Sequence, residues 1–231
     1  MIKDNLFKIQ QAIGETCRKI GRDPGEIVVV GASKYTDAVG IRDAIAAGLT
    51  DIGENRVQDS KEKFAALGGD VARVKKHMIG HLQTNKAKIA VELFDMIQSV
   101  DSMKLAEEID KHAARLGKVM GILVQVNESA EEQKSGVDPA AASDLIGQIS
   151  GLKNIRVQGL MTMAALTDNV NAVRQSFRQL RELRDRISAQ FRDRPSVTMK
   201  YLSMGMSADH LIAIEEGANM VRVGRALFHE N

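Results

Sequence analysis

Cysteine is nearly absent from this sequence, because Cys17 is the only one among 231 residues. A disulfide needs two thiols, so the chain cannot form an internal one. Cys17 falls within a helical pattern, where a buried or half-buried thiol is more usual than a reactive one. This cysteine usage fits a reducing compartment, and we expect a cytoplasmic protein.

An excess of charge of either sign is also lacking. Lysine and arginine total 32, and aspartate and glutamate total 30, which gives a net charge of +2. So small a charge creates no field that would favour nucleic acid or a membrane surface as a partner. The helix predicted over 169–191 is rich in arginine, but acidic residues interrupt it, and we expect an ordinary solvated outer face. The partner is therefore expected to be a small molecule.

Long apolar runs are missing as well. No segment approaches the roughly 20 apolar residues that a membrane-spanning helix needs. The N-terminal segment has the pattern of an amphipathic helix with charges throughout, and it lacks the apolar stretch of a signal peptide. We therefore expect a soluble protein that is not exported.

The sequence does contain a regular alternation of strand and helix patterns. The first candidate strand, 27–33, is continuously apolar or small, as expected of a parallel strand buried on both faces. The other candidate strands are 51–53, 74–80, 96–100, 121–127, 155–163, 201–206 and 220–227. Helical patterns separate them, the clearest at 38–48, 57–67, 102–116, 140–149 and 169–191. This α/β alternation predicts a single (β/α)8 barrel domain over residues 1–231, with an extra helix at its N-terminus.

In such a barrel the chemistry lies at the C-terminal ends of the strands. Lys34 directly follows the first strand, so its amine is expected at the barrel mouth in an environment poor in water. Burial favours the neutral amine, which is the form that attacks carbonyls to make an imine. A lysine that merely reaches from a strand end into water is the competing interpretation.

The last two strands predict a phosphate site. Ser203 and Ser207 flank a turn that leads into a helix expected near Ala208, and N–H groups at a helix N-terminus suit a phosphate. N-capping of that helix by Ser207 is the alternative. Arg222 and Gly224 end the eighth strand, and turns after strands seven and eight commonly form the phosphate site of these barrels. An amine beside a phosphate pocket predicts a phosphorylated aldehyde as the ligand.

Other kinds of site are not favoured. His77 and His81 are four residues apart, but they fall where a strand runs into a loop, without a third ligand at a recognisable spacing. We therefore expect no metal. The glycine patterns of nucleotide-binding loops are missing too. A class I aldolase, whose lysine would trap a sugar phosphate directly, stays open as an alternative from the residues alone.

At these residues the chain resembles the pyridoxal phosphate homeostasis protein family, which is related to the N-terminal barrel of alanine racemase. The resemblance covers essentially the whole length. Its motifs stand at 30–34, 53–58, 77–86, 125–127, 134–136, 159–161, 202–207 and 220–224.

The resemblance implies that Lys34 holds pyridoxal 5′-phosphate (PLP), the vitamin B6 cofactor, as a Schiff base. The residues implied around the phosphate are Ser203, Ser207, Arg222 and Gly224, and those implied around the ring are Asn55 and Met161. Arg225 stands where many relatives carry threonine or serine, so a guanidinium is expected in place of one phosphate-binding hydroxyl.

The family is regarded as lacking a robust catalytic activity and as controlling the supply of free cofactor. In alanine racemase a second base comes from an additional domain, for which this chain has no residues left. We therefore expect a monomeric PLP carrier, with PLP-dependent apoenzymes as candidate recipients. A PLP-dependent amino-acid racemase or decarboxylase is the alternative.

Overall fold

Eight parallel strands close into a barrel in the computed structural model, which describes residues 1–128, 135–163, 167 and 169–229. The strands are β1 (Val28–Ala32), β2 (Asp51–Glu54), β3 (Lys75–Met78), β4 (Met96–Val100), β5 (Met120–Gln125), β6 (Ile155–Met161), β7 (Val197–Ser203) and β8 (Met220–Val223). They are hydrogen-bonded in sequence order, and β8 pairs with β1 to complete the ring. The predicted (β/α)8 barrel is confirmed.

Helices follow the strands and surround the barrel. They are α1 (Ile2–Lys19), α2 (Ala38–Ala46), α3 (Val57–Leu67), α4 (Ala87–Leu93), α5 (Met103–Arg115), α6 (Ala142–Ile149), α7 (Val170–Gln190), α8 (His210–Glu215) and α9 (Arg225–Phe228). The predicted extra N-terminal helix is α1, which packs against α2, α8 and α9. Within the described ranges, every helix is too short or too polar to cross a bilayer.

Two apolar clusters support the site. The larger one packs strand residues such as Ile52 and Ile97 against the helices. The smaller one fills the barrel interior with residues from β1, β4, β5, β6 and β8, namely Val30, Met96, Leu123, Met161 and Met220. Because the interior is filled by side chains, the polar groups near the mouth lie directly above packed apolar residues.

The last two strands differ from their predicted bounds. β7 begins at Val197 and ends at Ser203, whereas 201–206 was expected. Its first half alternates buried Val197 and Met199 with exposed Thr198 and Lys200, so it lacks the continuous apolar pattern of a strand buried on both faces. The prediction for β8 extended to 227, but the chain turns into α9 directly after Gly224.

Helix α7 contains the arginine-rich segment. Phe177, Leu180, Leu183 and Ile187 form a buried inner face, which agrees with the expected solvated outer face. Some of its arginines also hold α8 in place: Arg174 and Arg178 form ion pairs with Glu216 at 3.1 and 3.2 Å. These two arginines of α7 therefore hold the end of the neighbouring helix α8 in place.

Candidate functional site

Lys34 lies at the barrel mouth in a 3-10 turn, Ser33–Tyr35, that directly follows β1. Its side chain is exposed, and its Nζ stands 4.6 Å from the centre of the Tyr35 ring. The expectation of an amine poor in water contact is therefore wrong. The strand ends at Ala32, and the turn lifts the next residues above the rim instead of continuing the buried strand.

The residue before Lys34 is tightly anchored. The hydroxyl of Ser33 donates to Glu54 Oε1 at 2.6 Å, and Lys63 Nζ donates to the carbonyl oxygen of Ser33 at 2.6 Å. Glu54 and Lys63 also form an ion pair at 3.1 Å, in which the Glu54 side chain is only 1% exposed. The turn that carries Lys34 is thus fixed from β2 and α3. Sequence reasoning missed this pair, although the glutamate at the end of a buried strand was visible.

The turns after β7 and β8 are joined to each other. The backbone N–H of Arg222 donates to the Gly205 carbonyl at 3.0 Å, and the N–H of Ala226 donates to the Ser207 hydroxyl at 3.3 Å. Ser207 therefore caps α9, and not the helix that follows it in sequence. That helix begins at His210 instead of near Ala208, because Asp209 Oδ1 accepts from the Met206 N–H and closes a separate turn.

Gly224 brings the end of β8 against the Lys34 turn. A Cβ atom at Gly224 would stand 3.1 Å from the Ala32 carbonyl oxygen and 3.3 Å from the Tyr35 ring, so the glycine permits this close approach. Arg225 follows as the first residue of α9 and is exposed. The pKa of the Tyr35 hydroxyl is lowered, first by a hydrogen bond with Lys34 and then by the positive charges of Lys34 and Arg225.

Arg222 lies beneath this rim with only 4% of its surface exposed. Its Nη1 donates to the Ser203 hydroxyl at 2.7 Å and its Nη2 to the Thr162 carbonyl at 2.8 Å. Both of these partners are neutral. Burial lowers the pKa of the guanidinium to about 10, so the group stays charged at neutral pH.

The two residues expected near the ring lie at neighbouring strand ends. Met161 is fully buried at the end of β6, in register with Ser203 of β7. Asn55 follows β2, and its side-chain oxygen is buried without a hydrogen-bond partner in the part of the chain that is described. A buried amide oxygen of this kind favours a further donor at the site.

The two histidines that were weighed as metal ligands have different surroundings. His77 is buried and contacts Asp51 at 2.9 Å and Gln98 at 3.0 Å. His81 is exposed, and its Nδ1 lies 3.9 Å from Asp101. Lys134, which belongs to one of the quoted motifs, lies outside the described residues.

The structure thus gathers the predicted residues into two levels. Lys34, Ser207, Gly224 and Arg225 stand at the rim where β1, β7 and β8 end. Ser203, Arg222 and Met161 lie below them at the ends of β6, β7 and β8, and Asn55 stands at the end of β2. An amine therefore stands above a buried cation, which is an arrangement suited to a small ligand that carries both a carbonyl group and an anionic group.

Comparisons with known proteins agree with this geometry. The sequence model of the family described as "Alanine racemase, N-terminal domain" matches residues 5–231. A pyridoxal phosphate homeostasis protein of Aquifex aeolicus is 39% identical over 98% of this chain and 97% of its own. The structure of PipY from Synechococcus elongatus with PLP bound is 36% identical, with a TM-score of 0.85 over 99% of this chain and 100% of PipY.

A more distant neighbour shares the fold alone. The alanine racemase of Clostridium difficile is 16% identical, with a TM-score of 0.73 over 99% of this chain and 57% of its own. The full-length relatives are far more similar. The chain therefore belongs to the alanine racemase N-terminal domain family and, within it, to the pyridoxal phosphate homeostasis proteins.

Proposed function

We propose that this protein binds PLP through Lys34 and controls the supply of the cofactor, without a robust catalytic activity of its own. The observation that carries the proposal is Arg222, a buried cation whose two hydrogen-bond partners are neutral, on the strand whose end packs against the turn that carries Lys34. A buried charge is costly unless an opposite charge approaches it. The phosphate of PLP supplies such a charge, and its aldehyde matches the amine. The relatives named for PLP homeostasis and the PLP-bound PipY support the same ligand.

The residues present fit this cofactor. When bound, PLP supplies an aldehyde that joins a lysine amine as a Schiff base, and Lys34 lies at the mouth to provide that amine. The residues proposed to hold the phosphate are Ser207, Arg222, Gly224 and Arg225. Those proposed to line the ring are Asn55, whose buried side-chain oxygen is free to accept a hydrogen bond, and Met161.

Ser203 has a different role in this proposal. A hydroxyl has one proton, and that of Ser203 is donated to Gln98 Oε1 at 2.7 Å. The same oxygen accepts from Arg222 at 2.7 Å. Ser203 therefore has no proton left for a phosphate, and it acts on the ligand by holding the guanidinium of Arg222.

The exposure of Lys34 favours a carrier over a closed catalyst. Catalysis with this cofactor profits from a site that excludes water and aligns groups on both faces of the substrate. Here the amine is exposed and rests over Tyr35 at the rim, where other amines have access to it. We propose that the protein works as a cytoplasmic monomer with a single domain, and that PLP-dependent apoenzymes receive the cofactor.

Borohydride reduction followed by mass spectrometry of peptides tests the proposal. We expect one peptide, which contains Lys34, to gain the pyridoxyl-phosphate mass, and Lys34→Ala to abolish the gain. Lys200→Ala is a matched control, because Lys200 also lies over a tyrosine ring, at 5.0 Å, but in the middle of β7. Label on another lysine would contradict the proposal.

A second measurement separates the carrier from the racemase or decarboxylase. Amino acids are incubated with the loaded protein, and deuterium exchange at the α-carbon and release of carbon dioxide are followed. We expect rates far below the ordinary enzymatic range of about 1 to 1,000 per second. Turnover within that range would refute the carrier function.

A further inference from the structure

A chain of five buried side chains crosses the barrel interior from β2 to β8. His77 Nε2 contacts Asp51 Oδ1 at 2.9 Å, and Gln98 Nε2 contacts His77 Nδ1 at 3.0 Å. Gln98 Oε1 and the Ser203 hydroxyl are 2.7 Å apart, and the Ser203 hydroxyl and Arg222 Nη1 are also 2.7 Å apart. All five residues are less than 10% exposed. The predicted site residues Ser203 and Arg222 are thus one end of a longer structure.

The direction of every hydrogen bond in this chain follows from Arg222. An arginine can only donate hydrogen bonds, so Ser203 accepts one from it. The Ser203 hydroxyl then donates its own hydrogen bond to Gln98 Oε1. The Gln98 amide then directs its N–H toward His77 Nδ1, and the remaining His77 proton on Nε2 points to Asp51. All four hydrogen bonds therefore point in one direction, from the cation of Arg222 to the carboxylate of Asp51. Bonds arranged in one direction polarise and strengthen each other.

Gln98 is the link that orients the cation without neutralising it. A carboxylate at this place would pair with Arg222 through Ser203 and reduce the charge that a ligand meets. The carboxylate of the chain instead belongs to Asp51, the first residue of β2, at the end of the barrel opposite the mouth. The amide of Gln98 therefore fixes the Ser203 hydroxyl without adding a second negative charge to that of Asp209, which already acts on Arg222.

We infer that Gln98 is a positioning residue for the PLP site and acts through Ser203 on the guanidinium of Arg222. The inference rests on the proposed function, because that function assigns Arg222 to the ligand. Without Gln98, the Ser203 hydroxyl is free to rotate, and the guanidinium loses its fixed acceptor. Affinity for PLP and the absorption spectrum of the bound cofactor then change, even where the barrel itself remains folded.

The test compares Gln98→Met, an apolar residue of similar length, with Ser99→Ala. Ser99 is the next residue of the same strand, fully buried, and its hydroxyl has no partner in the described part of the chain. PLP is titrated by absorbance, and melting is followed without PLP. We expect Gln98→Met to weaken PLP binding about 10- to 100-fold, the range for lost hydrogen bonding to a charged group, and to shift the absorption maximum. Ser99→Ala should match the wild type in PLP affinity and in the absorption maximum.

A double variant shows whether the effect passes through Arg222. In an Arg222→Lys background, Gln98→Met should weaken PLP binding less than about threefold further, because residues in one network are not additive. Full additivity would overturn the inference. So would unchanged affinity and spectrum in Gln98→Met, including the case in which only the melting temperature of the ligand-free protein falls.

The outcomes keep the two proposals apart. A wild-type protein that does not bind PLP would overturn the proposed function and this inference with it, whereas a PLP-binding wild type with an unaffected Gln98→Met would overturn the inference alone. If Gln98→Met fails to fold, Gln98→Glu replaces it, since a carboxylate keeps an acceptor for Ser203 but pairs with Arg222 through it and reduces the charge that the ligand meets. The same weakening is expected, and wild-type affinity in that variant would count against the inference.

Discussion

The ring of Tyr35 lies against Gly224, so close that a Cβ atom at Gly224 would stand 3.3 Å from it. This contact joins the first strand end to the last one. It places the amine of Lys34 and the first turn of α9 on the same side of the rim. The residues that follow β1 and β8 therefore stand together, as the proposed PLP site requires.

Arg225 offers a direct test of this shared rim. Because its guanidinium is exposed, we expect Arg225→Ser to weaken PLP binding only a few-fold in a dilute buffer, the scale of an exposed ion pair. The difference should shrink as salt is added, because salt screens exposed charges. Absorbance titration of PLP at low and high salt measures both effects. Arg18→Ser on α1 is the control and should behave as the wild type; a loss that persists in high salt would show a contact of another kind.

The Glu54–Lys63 pair should stabilise the Lys34 turn. Glu54→Gln leaves Lys63 without its charge partner, and we expect a loss of about 2 kcal/mol in the free energy of unfolding, below the 3–5 kcal/mol of a fully buried pair because Lys63 reaches water. Urea denaturation measures the loss. The fraction of protein that borohydride labels with PLP should fall as well.

The double variant of Glu54→Gln with Lys63→Met is the control for this pair. It removes both charges, so most of the lost stability should return. A double variant that is as unstable as the sum of the single ones would show that the two side chains do not act together.

Gly205 should resist substitution because of its backbone. Its φ angle is +92°, and a Cβ atom there would lie 2.6 Å from the Cβ of Ala213. We expect Gly205→Ala to lower the free energy of unfolding by about 2 kcal/mol, within the range for strained backbone. Gly69→Ala is the matched control, since nothing lies within 4 Å of a Cβ atom at Gly69. Equal melting temperatures of the two variants would refute the explanation.

His210 should make stability depend on pH. Its Nδ1 contacts the Met206 carbonyl at 3.1 Å, and burial lowers the pKa of the ring below its ordinary value. The unfolded chain therefore takes up a proton at a higher pH than the folded one. Stability should be independent of this group above the unfolded pKa of about 6.5 and should fall as the pH drops below it, by at most about 1.4 kcal/mol per pH unit.

Urea denaturation at several pH values between about 7.5 and 5 checks this dependence, over the range in which the unfolded histidine titrates. His210→Gln should flatten the curve in that interval. His81→Gln is a control, because His81 is exposed, and it should retain the wild-type slope. If His210→Gln keeps that slope as well, another group causes the dependence.

The sequence predicted the barrel and the rim because both depend on local patterns. Short apolar runs ending in Lys34 or Gly224 indicate strand ends, and strand ends of a parallel barrel share one mouth. The exposure of Lys34 was only the competing interpretation, because the pattern does not show that the strand stops two residues earlier and enters a 3-10 turn.

The interior network could not be predicted in the same way. Gln98 and Ser203 are 105 positions apart, and their contact depends on the order and stagger of the strands around the barrel. The polar residues Gln98 and Ser99 inside the candidate strand 96–100 were the visible sign. Polar residues on such strands identify a candidate, but only the closed sheet identifies its partner.

The seam between β1 and β8 has a consequence for the protein during its synthesis. Lys34 leaves the ribosome early, whereas Arg222 and Gly224 emerge almost two hundred residues later, and the two ends meet only when β8 pairs with β1. A nascent or truncated chain that carries the lysine therefore lacks the residues proposed to hold the phosphate. Under the proposed function, an incomplete chain therefore does not retain the cofactor, although it already carries the lysine.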